Sequence, residues 1–233
     1  MKLKKILMLG LVCLSVIGMV GCGENKTADN TNTDTQKQEQ KKAPDEIDGV
    51  SLKNPIKLDM KTKTITVLCK VDGKYFHQPT RHASVFKDGT NGSKTIFVAY
   101  GKPKEFYEDL IKLGAKPGDN MTPENAAKTK VEGTPIKMKV TWPGAPKVYD
   151  INEVVNDSNG NKIEFKFGGN LKRSQKMNTG CLSCLDSCPV GIISNSVYTN
   201  GAVEKRHEVA FTGKEDVLPK DGTYVVTIYS LAE

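Results

Sequence analysis

Three of the six cysteines in this 233-residue chain fall within eight positions, in Cys181-Leu-Ser-Cys184-Leu-Asp-Ser-Cys188-Pro189. Thiolates three or four residues apart can wrap one metal ion or one iron–sulfur cluster. The proline after the last of them stops the segment from continuing as a helix. Two other chemistries use the same residues. Closely spaced cysteines in an exported chain form disulfides that brace a loop, and a C-x2-C pair with a third thiol nearby can exchange disulfides. Cys69 is the one remaining thiol once Cys13, inside the apolar run near the amino terminus, and Cys22, at its end, are set aside. Cys69, Cys181, Cys184 and Cys188 then make a set of four, the usual shell of a cluster or a structural zinc.

The spacing C-x2-C-x3-C-P is that of the last three ligands and the proline in the bacterial ferredoxin run C-x2-C-x2-C-x3-C-P. The position of the absent first ligand is occupied by Asn178. His77 and His82 stand five apart, a spacing within the range of zinc ligands but common by chance, so local hydrogen bonding is the blander reading. Lys172, Arg173 and Lys176 precede the cysteines, and positive charge there would favour thiolates. A solvated loop is the simpler account of each. The chain has no Gly-rich phosphate loop, paired-carboxylate motif or Ser/His/Asp order, so an electron carrier or binding protein is expected rather than a hydrolase or transferase. Aromatic residues are few and do not interleave with basic ones, which argues against nucleic acid.

The amino terminus sets the compartment. Three lysines in the first five residues precede the apolar run ILMLGLVCLSVIGMV, which is shorter than the about 20 residues a membrane span needs. This is the h-region of a secretory signal. It ends in Met19-Val20-Gly21-Cys22, which resembles the lipobox of bacterial lipoproteins. The expectation is a signal peptide over 1–21, cleaved so that Cys22 carries lipid and holds the protein at the extracytoplasmic face of the cell membrane. Residues 22–46 have almost no apolar side chains and read as a disordered tether. Residues 47–233 form the folded domain. The formal charge is +7. Loss of Lys2, Lys4 and Lys5 with the leader leaves +4, and the four lysines and six acids of 22–46 remove a further −2, so the domain carries +6. A chain exported unfolded cannot bring a preassembled cluster, so any cluster would form outside the cytoplasm.

Several segments could position the cysteines. Residues 63–71, 135–142, 162–167 and 223–230 alternate polar and apolar, and 95–100 is rich in β-branched and aromatic residues. Residues 103–114 read as the main helix, with Pro103 in its first turn, Phe106, Tyr107, Leu110 and Ile111 on one face, and Gly114 as its cap. A second short helix is expected to start at Thr122. Asp-Gly and Asn-Gly pairs mark turns. Strands, a helix and then strands predict an α+β fold with a largely antiparallel sheet, one main helix and a cysteine-rich loop.

From about residue 55 to 230 the chain resembles the YdjY-like domain of exported and membrane-anchored bacterial proteins. The matching stretches are ITVLCKV, His82-Ala83-Ser84, LGAKPG, GTPIKMKVTW and LPKDGTYVVTIYS. Relatives commonly have His-Glu-Ser where this chain has His82-Ala83-Ser84. Cys181-Leu182-Ser183 is similar to a cysteine-bearing connection in that family, and Cys184 and Cys188 are additions to it. The combined expectation is a lipid-anchored protein that binds an iron–sulfur cluster through Cys181, Cys184, Cys188 and Cys69 and transfers electrons to a membrane redox partner. Zinc or no cofactor at all are the alternatives, with a disulfide-braced binding protein or a thiol–disulfide exchange protein as the corresponding functions.

Overall fold

A computed structural model describes residues 45–232. The leader, Cys22 and most of the tether lie outside the described residues. In chain order the elements are β1 (Ile56–Asp59), β2 (Thr64–Val71), α1 (Lys74–His77), β3 (His82–Phe86), β4 (Phe97–Ala99), α2 (Pro103–Lys112), β5 (Pro135–Thr141), β6 (Tyr149–Asp150), α3 (Ile151–Val154), β7 (Val155–Asp157), β8 (Phe165–Phe167), α4 (Leu171–Lys176), β9 (Cys181–Cys184), β10 (Ile193–Asn195), β11 (Phe211–Gly213) and β12 (Tyr224–Leu231).

The strands form a closed barrel. Around its wall run β2, β12, β5, β8, β10, β9, β3 and β4, and a pairing of β4 with β2 shuts the ring. Neighbours are antiparallel except for β9 with β10 and β3 with β4, which are parallel. Strand β1 pairs with the first half of β2, beside the stretch of β2 that β4 occupies, and β6 pairs with β5. This overturns the expected α+β fold. The protein is mostly β, its helices are four short pieces, and its principal sheet closes on itself instead of leaving an open face for one main helix to cover. The expectation failed at the strands that complete the wall. β3 (HASVF), β9 (CLSC) and β10 (ISN) are short and mix His, Ser, Cys and Asn among a few apolar residues, so they give no alternating pattern to read. The turn after Thr122 also forms no helix. Thr122 and Asn125 instead bond each other's backbone through their side chains.

Alternation along the long strands builds the interior. Ile65, Val67, Cys69 and Val71 of β2 join Ile136, Met138 and Val140 of β5 and Val225 and Tyr229 of β12 in the main core. On the other side of the wall, Leu68 and Val226 pack under Ile47 and Val50 at the start of the domain. Helix α2 begins with Pro103, whose missing N–H is no loss in a first turn, and Gly114 follows it with a positive φ of 95°. Its buried residues include Phe106 and Leu110, while Ile111, assigned to the same face from the sequence, is 43% exposed. The Phe106 ring meets Tyr229 edge-on, centroids 4.7 Å apart. No helix among the described residues is long and apolar enough to cross a membrane.

The Tyr229 hydroxyl is fully buried and has no hydrogen-bond partner among the described residues. Removing an unpartnered hydroxyl costs nothing, whereas emptying an aromatic site leaves a cavity. Tyr229→Phe should therefore keep or raise the denaturation midpoint, and Phe106→Ala should lose about 3–5 kcal/mol in the same denaturant titration.

Candidate metal centre

Cys181 and Cys184 open and close β9, and His82 opens β3 beside it. In a regular strand, residues three apart point to opposite faces. Here the β3–β9 ladder is irregular. His82 pairs with Cys184, Ser84 with Ser183 and Val85 with Cys181, with a register shift between each step. Ala83 on β3 and Leu182 on β9 are thereby left without a direct partner, one extra residue on each strand. Such bulges bend a strand and re-aim its side chains. As a result Val85, Cys181, Cys184 and Cys188 share one cluster, while Ser84 and Ser183 face Cys69 and Met138 across the interior.

The ligand atoms of His82, Cys181 and Cys184 all lie within 4.8 Å of one another. His82 Nδ1 is 3.6 Å from Cys181 Sγ and 3.8 Å from Cys184 Sγ. Cys188 follows on the connection to β10, packed in the same apolar cluster with Val190 partly covering it. All four residues are almost completely buried. A buried connection must satisfy its own backbone, and this one does. Leu185 N donates to Arg81 O at 2.8 Å and Ser187 N to Tyr198 O at 2.9 Å. Asn195 Nδ2 donates to Leu185 O at 3.0 Å, and Asn170 Nδ2 reaches both Cys188 O and Gly191 O at 3.2 Å.

The charge beside the sulfurs comes from Arg81. Its Nε donates to Asp186 Oδ1 at 3.1 Å, and Asp186 Oδ2 accepts the Gly201 N–H at 2.9 Å. Burial opposes the positive charge of Arg81, but Cys188, Asp186 and Cys184 outweigh it and hold the guanidinium firmly protonated. Burial is also the main influence on Asp186 and raises it, with Arg81 and the Gly201 N–H offsetting much of that cost. Cys184 is the largest influence holding Cys181 well below the ordinary thiol range. Burial opposes this, and His82 and the Asn91 amide, 3.6 Å from the sulfur, add to the lowering. The contacts of Cys184 with Cys181 and Cys188, followed by burial, push Cys184 well above that range. One sulfur of the pair is thus disposed to be a thiolate and the other to be its hydrogen-bond donor.

Not every residue singled out in the sequence joins this cluster. Cys69 does not. It sits in the barrel interior with its Sγ 3.4 Å from Thr227 Oγ1 and 3.9 Å from Ser84 Oγ, and burial pushes its thiol up to about 11. The expected four-cysteine shell is therefore not assembled: His82, Cys181 and Cys184 come together instead, with Cys188 against Cys184 but outside that close group. Asn178, in the ferredoxin ligand position, is exposed with a positive φ of 47° and turns its amide toward Asp88 O. His77 is exposed beside Glu215. Lys172 and Lys176 are exposed, and Arg173 is spent on the carbonyls of Met121 and Pro189 and the Asn170 side chain. Cys181, Cys184 and the other two described cysteines are all free thiols, so no disulfide braces the connection among the described residues. Sequence reasoning passed over Arg81, Asn91 and Asp186. The available signal was the adjacency of Arg81 to His82 and of Asp186 to the cysteines.

Fold and site together define a closed β-barrel domain with a buried thiol–imidazole cluster on its wall. The chain belongs to the YdjY family: residues 56–230 match the YdjY domain. It is similar to a protein of Escherichia coli (strain K12) named "Uncharacterized protein YdjY", with 45% identity over 223 residues covering 96% of this chain and 93% of that one. No solved structure matches.

Among the described residues, Asp186 is the only acid bonded to Arg81 through a side chain with no solvent exposure. Asp186→Asn would take from a largely buried guanidinium its one buried carboxylate partner among the described residues. The expected loss is about 3–5 kcal/mol in chemical denaturation.

Proposed function

We propose that this protein is a lipid-anchored extracytoplasmic metalloprotein in which His82, Cys181, Cys184 and Cys188 hold one transition-metal ion. The observation that carries this reading is the spacing of the His82 nitrogen from the two sulfurs, 3.6 and 3.8 Å. Around a tetrahedral zinc, with bonds of about 2.0–2.3 Å, nitrogen and sulfur ligands stand roughly 3.5–3.8 Å apart. Any two thiolates on a four-iron cluster are joined through two irons and must stand farther apart than that. Three thiolates and one imidazole also form a familiar zinc shell, and thiolate ligands select zinc over harder ions. Cys188 contacts Cys184 but stands outside the close group of three, so it would have to move toward the ion to supply the fourth ligand. Such an ion would tie β3, β9 and the connection after β9 into one unit. The burial of all three sulfurs weighs against thiol–disulfide exchange with another protein, because a partner's sulfur could not reach them.

The C-x2-C-x3-C-P spacing favours a second reading, an iron–sulfur cluster that passes electrons to a membrane partner. Anaerobic purification of the mature chain, followed by metal and acid-labile sulfide analysis, separates the two. One metal ion per chain without sulfide is expected, retained in Cys69→Ala and lost in Cys181→Ser and Cys184→Ser. Iron with matching sulfide would replace the single ion with a cluster. Neither metal nor sulfide would reject both. Binding displaces thiol protons, above all that of Cys184, so the affinity should fall as the pH is lowered.

The anchor rests on Met19-Val20-Gly21-Cys22. Cys22→Ala should yield an unprocessed or released protein, read by detergent-phase partitioning. A variant that partitions like the mature form would remove the lipid from this proposal.

A further inference from the structure

The Ser194 hydroxyl is fully buried and has no hydrogen-bond partner among the described residues. It lies beside the cysteine cluster, because Ser194 and Cys184 are direct partners in the parallel pairing of β9 with β10. Gly191 marks the space between them. A Cβ added there would fall 2.8 Å from Cys184 Sγ and 2.9 Å from Ser194 Oγ. The backbone of Gly191 is outside the left-handed region, so its conformation does not call for glycine. The crowding does. Buried hydroxyls in native proteins almost always have a partner, and an exception often marks an absent water or ion.

Resting on the metal reading above and deepening it, we propose that Ser194 is a positioning residue of the centre, donating its O–H to Cys184 Sγ when that sulfur is coordinated, and that Gly191 keeps open the room the coordinated sulfur needs. A thiol is a weak acceptor and gives the hydroxyl little. A metal-bound thiolate carries charge, and hydrogen bonds to charged acceptors are much the stronger. Outer-shell partners of this kind orient the ligand, and their loss typically weakens metal binding 10–100-fold.

The signature is an opposite response of the metal-free and metal-loaded proteins. The test uses the full mature chain, with Zn²⁺ affinity measured by competition against a chelator and the sulfur-to-cobalt charge-transfer band recorded with Co²⁺ in its place. Ser194→Ala should melt at or above the wild-type midpoint when metal-free, because it deletes an unpartnered polar group. It should bind Zn²⁺ about tenfold more weakly or worse and shift the cobalt band. Ser194→Thr should restore both. Gly191→Ala should also weaken Zn²⁺ binding about tenfold or more, by crowding Cys184. A Ser194→Ala chain with wild-type affinity and an unchanged band overturns the role of Ser194 while leaving the metal reading intact. A wild-type chain that takes up neither ion rejects the metal reading itself.

Discussion

Between His82 and Val85 the pairing of β3 with β9 slips twice, and both the barrel wall and the cluster depend on that irregularity. A regular antiparallel ladder would send Cys181 and Cys184 to opposite faces, one toward Ser183 in the core and the other outward. The two extra residues, Ala83 and Leu182, bury in the main core, so their own hydrophobic burial helps hold the distortion in place. Bulges commonly mark the point where a sheet must both bend and present side chains. Here the same stretch turns the wall toward closure and gathers on one side three atoms able to hold a metal ion.

Closure in turn explains where the polar residues of the interior lie. A barrel leaves no wall edge unpaired, but its bore must be filled. Most of this filling is aliphatic and aromatic, and a smaller polar group of Cys69, Ser84, Ser183 and Thr227 lies among it. Cys69 belongs to that group, with its thiol raised by burial and kept neutral. It behaves as a small core side chain with a weak hydrogen bond to Thr227. The wall separates it from the other three cysteines.

Electrostatics decide which of the clustered groups can act together. Burying thiols disfavours their ionised forms, yet Cys181 is held low by neighbours that donate to it. Arg81 is near enough to Cys184 and Cys188 to feel their charge and is itself paired with Asp186, so the pocket accepts negative charge without an isolated cation. The connection after Cys184 is tied down at both ends, through Arg81 O and Asn170, which limits how far Cys188 can stray.

Local sequence determined what depended on near neighbours. The long alternating strands, the start and stop of α2 and the closeness of Cys181 to Cys184 were readable because period, capping and spacing are local properties. The resemblance to YdjY-like domains was likewise carried by contiguous stretches. Tertiary structure decided the rest. Three- and four-residue strands such as β9 and β10 have too few positions to show a period, and their partners lie far along the chain, so closure of the barrel was invisible. His82 stands 99 residues from Cys181 and Cys69 only 13 from His82. Neither separation says which of them meets the sulfurs. That choice was made by two bulges and a barrel wall, which place His82 beside Cys181 and turn Cys69 to the other side.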